Sequence, residues 1–588
     1  MTSRKLVSRA ASAAIAVCAT ASFASAGDVP ASSGTLGDLR AVGTVQLKSS
    51  CGPEAQAGIE RAAALLHSFF YEEARRGFAD VAAKAPGCAL AHWGVAMSYW
   101  HPIWTPPSDE EREAGRAAIA RATQAGGKTD VERGLIAALA AYYDPPSSAP
   151  APAAAGEPGR SCHGLTGGAD SSARALAYEK TLEPLFAAHP KDVEVGSFYA
   201  LALLATASPT DASLKNPLRA AQILETFYET NANHPGVVHY LIHAYDYPPV
   251  AARGLKAARG YAAIAPWVPH ALHMPAHIFT RLGMWNDVIA SNLASADAAR
   301  QYAASHHPQA TSFEELHALD YLVYGYLQRG DDRQARDVLA RIQTVRATFP
   351  AADFVAAYAI GAVPARYALE RRQWGEAAAL VEPQGSVSLE KFTFGAAHFA
   401  FARALGAARA GRVPEARQAM ARLDQLATGM TDPRQQYFAR QSLVQLQAVK
   451  GWLASAEGRP DEAARLLREA ADSDDALGKH PVSPGSLLPA REILADFLLE
   501  RGQVREALAE YEQCLKLNPG RLNSLYGAGL ASERSGERDT ARKRYAELAA
   551  MVSPEADRPE IAHARAFLAD AGRPAPGRTA QDSGTNRP

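Results

Sequence analysis

Cysteine is scarce, five in 588 residues, and no two of them form a CxxC pair. That removes zinc centres built from cysteine. Charge of either sign is not in excess: 61 basic residues stand against 62 acidic ones, a net of -1. This excludes a nucleic-acid binder that works by bulk positive charge, and equally an acidic disordered chain. Past the first 26 residues no apolar run is long enough to cross a bilayer. There is no HExxH, and no phosphate loop, dinucleotide fingerprint or GxSxG elbow in a strand-to-helix setting. Runs of β-branched residues are few while alanine is abundant, so the 47% hydrophobic and 21% charged composition favours a folded, helical chain.

The N-terminus has the form of a secretory signal. Arg4, Lys5 and Arg9 precede an apolar stretch from Ala10 to about Phe23, and Ala24-Ser25-Ala26 is a small-residue cleavage site. The expected location is secreted or periplasmic after cleavage near Ala26. Four cysteines then remain, Cys51, Cys88, Cys162 and Cys514, with three possible pairings. An oxidising compartment permits a Cys51–Cys88 bridge across one helical hairpin, the alternative being two buried thiols.

What the chain does contain is repetition. LADFLLERGQVREALAEYEQCLKLNP is followed by LYGAGLASERSGERDTARKRYAEL, with Gly502, Ala507, Tyr511, Leu515 and Pro519 answered by Gly536, Ala541 and Tyr545. These units resemble the tetratricopeptide repeat (TPR): the glycine ends one helix, the alanine permits close helix approach, and the aromatic fills the seam. Similar turns upstream give small-residue anchors at Val288, Ala335, Ala377, Ala416, Ala463, Ala507 and Ala541, spaced 47, 42, 39, 47, 44 and 34. Only the last spacing equals the standard ~34. The expected fold is therefore an all-α, irregular TPR-like solenoid of helical hairpins with a concave groove. The organisation reads as signal peptide 1–26, N-terminal repeats 27–143, a flexible Pro/Gly/Ser/Ala-rich insert 144–172, His-rich repeats 173–345, C-terminal repeats 346–571 and a disordered tail 572–588.

Histidine is unevenly placed: nine of the 17 fall between His234 and His317. With each turn glycine as a ruler, His317, Asp320 and Tyr324 take repeat positions 2, 5 and 9. His270, His273 and His277 take the same three. Aligning Val238, Leu241 and Tyr245 to the packing positions puts His239, His243 and Asp246 at 5, 9 and 12. Spacings of three and four keep these side chains on one helix face. By the TPR resemblance, that face lines the inner groove. Pro275 should break or kink a helix through 270–282 unless one starts near Met274, which would leave His270 and His273 in an entry loop.

Six imidazoles and two carboxylates from three helices point to a transition-metal site, with zinc, copper or iron as candidate ions. The expected ligands are His239, His243, His273, His277 and His317, with Asp246 and Asp320 ligating or orienting. His270 is a candidate general base or further ligand, and Tyr324 or Arg281 could contact substrate. His234, His306 and His307 read as loop residues, and His67, His92, His101 and His398 as structural. A groove that binds a peptide through neutral histidines, and plain packing, are the competing readings.

The segment HYLIHAYDYPPVAARGLKAARGYAAIAPWVPHALHMPAHIFTRLGMW is distinctive. With CGPEAQAGIERAAALLHSFFYEEA, CALAHWGVAMSYWHPIW and LHALDYLVYGYLQ, it resembles a family of exported bacterial TPR proteins over most of residues 45–345. The resemblance implies architecture and export rather than a particular chemistry. The expected activity is a metal-dependent hydrolase or oxidoreductase acting on a peptide or small molecule in the groove. The alternatives are a non-enzymatic adaptor for a protein partner and a metal carrier.

Overall fold

The computed structural model describes residues 41–104, 106–145, 168–208 and 211–571. The signal-like segment, residues 146–167 of the insert with Cys162, and the tail lie outside them. Helix follows helix. Among the described residues the only strand pairing is a two-residue parallel bridge between Thr311–Ser312 and Thr348–Phe349. This is the all-α, TPR-like solenoid that the repeats predict. All seven small anchor residues are fully buried, as their packing role requires.

The Phe313–Arg329 helix shows how each unit is delimited. The Ser312 hydroxyl accepts the Glu314 N–H at its start, and Gly330 ends it with φ 72. A Cβ on Gly330 would lie 2.8 Å from Ile561 Cδ1, so the turn and the close approach both call for glycine. Successive first helices, Phe313–Arg329, Phe354–Glu370, Phe394–Arg409, Gln436–Ala456, Ala490–Glu500 and Leu522–Arg534, each pack on the next, and the last comes back to touch the first. Arg521 secures that return. It is fully buried and forks onto Glu370 (2.9 and 3.0 Å) and Glu492 (2.9 and 2.9 Å), and also donates to Tyr324 Oη at 2.9 Å.

One stretch departs from helical repetition. Between the Pro460–Leu477 and Ala490–Glu500 helices, residues 478–489 form no helix, yet from Lys479 to Pro489 every residue but Ser486 is buried. Tyr321 Oη donates to Ser483 O at 3.2 Å and Tyr358 Oη to Ser483 Oγ at 2.7 Å. Arg366 donates to Gly485 O at 3.1 Å and Ser486 O at 3.0 Å. The segment thus covers the inner faces of two first helices, and every residue of Phe354–Glu370 is buried. Along this part of the groove, the space expected for a ligand holds the chain itself.

Cys51 and Cys88 form a disulfide with their Cα atoms 5.0 Å apart, and Cys514 is a buried thiol. The Gly168–Ala188 helix begins inside the stretch expected to be a flexible insert to residue 172. Pro275 does not expel His270 and His273 into a loop. Pro269 starts a short helix, Pro269–His273, and Pro275 starts the next, Pro275–Arg281. Met274 between them is helical (φ -53, ψ -36), so the two prolines each occupy a first-turn position where no N–H is needed.

Candidate metal centre

Three elements bring the six central imidazoles together: Pro235–Tyr245, the paired helices from Pro269 to Arg281, and Phe313–Arg329. All six are buried, none more than 6% exposed. They fall into two trios, His239 with His243 and His270, and His273 with His277 and His317. Within each trio the ligand nitrogens lie within 4.8 Å of one another. In the first, His239 Nε2 is 3.1 Å from His243 Nε2 and 3.2 Å from His270 Nε2. In the second, His273 Nε2 is 3.0 Å from His277 Nε2. Two nitrogens on one ion, with bonds of about 2.0–2.1 Å and angles of about 90–110°, stand roughly 2.8–3.4 Å apart.

The tautomers follow from what each Nδ1 faces. His239 Nδ1 meets the carbonyl of His67 at 2.7 Å, and His277 Nδ1 meets the Asp246 carboxylate at 2.9 Å. His273 Nδ1 meets Asn292 Oδ1 at 2.7 Å, while the Asn292 amide donates to Val288 O, which fixes that oxygen as an acceptor. Each of these Nδ1 atoms therefore carries the hydrogen, and each Nε2 presents a lone pair. In the second trio two lone pairs face each other at 3.0 Å with nothing to share. A proton between them is disfavoured. Burial lowers the pKa of both His273 and His277, although Asp246 partly offsets this at His277. Burial likewise takes His239 down to about 3 and His270 and His317 well below the usual range. Among the described residues neither nitrogen of His317 has a hydrogen-bond partner. Neutral, oriented imidazoles with converging lone pairs are the chemistry of a metal ligand set.

These depressed values set a pH dependence. The unfolded chain takes a proton on each histidine near the ordinary pKa of 6.5, while the folded chain refuses it until far lower pH. Stability is therefore present above 6.5 and is lost as the pH falls toward the folded value. For His239 alone the loss at pH 5 is about 2 kcal/mol. The urea midpoint of the chelator-treated protein should fall steadily from pH 6.5 to 4.5; a flat midpoint would contradict this electrostatic account.

Asp246 is an orienting group rather than a member of either trio. Besides His277 it receives Arg281 Nε at 2.8 Å and Lys479 Nζ at 3.1 Å. Burial opposes its charge, but Lys479, Arg281 and His277 hold its carboxyl well below the usual range. Asp320 joins no trio: it faces Arg366 Nε at 3.4 Å, and burial raises its pKa to about 6 against the pull of that guanidinium. Arg281 is committed to Asp246. Tyr324 stands apart from the histidines, with its hydroxyl on Arg521 and its ring beside Trp285. Arg281 and Tyr324 do share a pocket of about 310 Å³ with Lys479, Thr280 and Tyr247, but no imidazole of either trio lines it.

A third cluster, His67, Glu194 and His234, has the composition of a metal site but not its chemistry. His67 Nε2 lies 3.0 Å from one Glu194 oxygen and His234 Nε2 2.9 Å from the other. His234 Nδ1 accepts the Val237 N–H, so its Nε2 is a donor. Burial disfavours the Glu194 charge, yet His234 and His67 outweigh it and hold its pKa down. These contacts are already satisfied, and their effect is to place the His67 carbonyl against His239. His234, expected in a loop, caps the Pro235–Tyr245 helix. His398 packs between Tyr358 and Phe438, and His101 on Tyr71, and neither belongs to a trio.

Aromatic side chains wall the centre, and sequence spacing does not reveal them. The Phe69 ring lies 4.4, 5.9 and 5.3 Å from His239, His243 and His270. Trp104 touches one imidazole of each trio, His270 at 5.7 Å and His317 at 5.4 Å. Tyr321 packs on all three rings of the second. Phe69 and Ile103, beside Trp104, hold φ values of 54 and 58, a strained conformation for non-glycine residues placed at the site wall.

No family model and no curated protein matches the chain. Among solved structures it is similar to yeast Tom70, at 9% identity and a TM-score of 0.33, covering 88% of this chain and 96% of that one. It is also similar to the APC/C hetero-tetramer Cut9–Hcn1, at 12% identity and a TM-score of 0.26, with the same coverage.

Proposed function

We propose that this chain is a helical-repeat metalloprotein that holds a transition metal on His239, His243 and His270 and on His273, His277 and His317. Asp246 orients His277 from behind. The observation that carries the reading is the pair of lone-pair-bearing nitrogens of His273 and His277 facing each other at 3.0 Å. Three protein nitrogens per ion leave a coordination position for a reactant, which favours a metal-dependent enzyme over a closed structural site. A carrier would need its ligands within reach of an exchange partner, and these are buried. A repeat scaffold is also a surface for protein partners, and such a partner would dock away from the faces that 478–489 covers. The Cys51–Cys88 bridge and the signal-like N-terminus support an exported protein.

Elemental analysis of protein purified without a histidine tag tests this, beside a His239→Ala/His277→Ala variant. The expected result is at least one transition-metal ion per chain in the parent and a large loss in the variant. Equal, sub-stoichiometric metal in both would end the proposal.

A further inference from the structure

The two trios are not independent. His243 and His277 have ring centroids 6.1 Å apart, His270 and His273 6.4 Å, and each pair crosses from one trio to the other. Trp104 reaches both. Two ions seated here would be near neighbours in one chamber.

Charge narrows the choice of ion. An imidazole binds a metal ion through a nitrogen lone pair and brings no negative charge, and no carboxylate belongs to either trio. The nearest anion, Asp246, is outnumbered by Arg281 and Lys479, and Asp320 is matched by Arg366. Two divalent ions would place four positive charges in a buried site that is already cationic, at high cost in desolvation. Monovalent copper halves that charge, and it accepts three imidazoles without further ligands. Imidazole is among the donors that suit copper.

Burial narrows the reactant. No ligand imidazole is more than 6% exposed, and none lines the adjoining pocket. A reactant the size of water or dioxygen is the one that this packing obstructs least.

Building on the metal reading above, we infer that the two trios hold a pair of cuprous ions that react together with dioxygen. Each ion, one held by His239, His243 and His270 and the other by His273, His277 and His317, would give up one electron. Dioxygen would take both and become the peroxide dianion, whose two negative charges equal the two positive charges that the ions gain. No proton is required in this step.

The test uses the full chain, stripped with chelator, loaded anaerobically with cuprous ion and then exposed to dioxygen. The expected results are two coppers per chain, one dioxygen consumed per two coppers, and a nearly silent EPR spectrum because the two cupric spins couple. His317→Gln, with its fold checked by circular dichroism, should retain copper in the first trio only, show the full cupric EPR signal of that ion and lose the paired uptake. Copper that binds but gives a full EPR signal in the parent, takes up no dioxygen, or yields to equimolar zinc would overturn the pair while leaving a metal site. A parent chain that binds no metal at all would overturn both this inference and the reading on which it rests. The parent measurements decide the matter even if the variant misfolds.

Discussion

Asp246→Asn is expected to weaken metal retention about 10- to 100-fold and to destabilise the protein by about 3–5 kcal/mol. Both effects come from one fully buried carboxylate. It fixes the tautomer of His277 through Nδ1, and it is the anion shared by Arg281 and Lys479. The amide is nearly isosteric and can still accept a hydrogen bond from His277, so shape and packing are preserved. What it lacks is charge, and two buried cations lose their counter-ion. Competition with a chelator reads the first effect and urea unfolding the second. Asp320→Asn is the control. That residue faces Arg366 and joins neither trio, so metal retention should be unchanged. If the two variants lose metal equally, Asp246 has no special orienting role.

Arg521→Met should be nearly as damaging to stability, by about 3–5 kcal/mol, without touching the histidines. Two carboxylates, Glu370 and Glu492, face the fully buried guanidinium, each through two hydrogen bonds. Burial works against the charge of Glu492, and Arg521 is the main influence that keeps its pKa low. Methionine fills similar volume but leaves two buried anions side by side. Arg521→Lys keeps a charge and loses the fork, so it should fall between methionine and the parent. Chemical unfolding of the three proteins gives the ranking. A cost under about 1 kcal/mol for methionine would mean that this network is solvated in a way the burial of its members does not suggest.

Some of this was legible in the chain. Repeat anchors could be read because an alanine at a helix crossing is a local requirement, and the same requirement recurs from unit to unit. Six of the histidines could be phased because helical spacing fixes which side chains share a face. The division into two trios could not be read, since it depends on how three helices are rotated against one another. The role of Asp246 as an orienter, and of the His67 carbonyl behind His239, was hidden for the same reason: each contact joins residues far apart in sequence. Pro275 taken by itself predicts a break, because proline disfavours a helix interior. With Pro269 it starts the second of two short helices, and His270 and His273 remain helical. Arg521 gave no sign, since its partners Glu370 and Tyr324 lie more than a hundred residues away. The buried segment left only a trace, the 44-residue spacing between Ala463 and Ala507, which does not say whether the excess is helix or loop.

That segment bears on how the protein comes apart. In an ordinary repeat array each unit leans only on its neighbours, so terminal units can fray or be cut away while the remainder stands. Here residues 478–489 are gripped by helices from units more than a hundred residues upstream. Deleting the C-terminal units would strip the cover from Tyr321, Tyr358 and Arg366, leaving no stable shorter array. Unfolding from Phe313 onward should be a single cooperative event, not a sequence of separate unzipping steps.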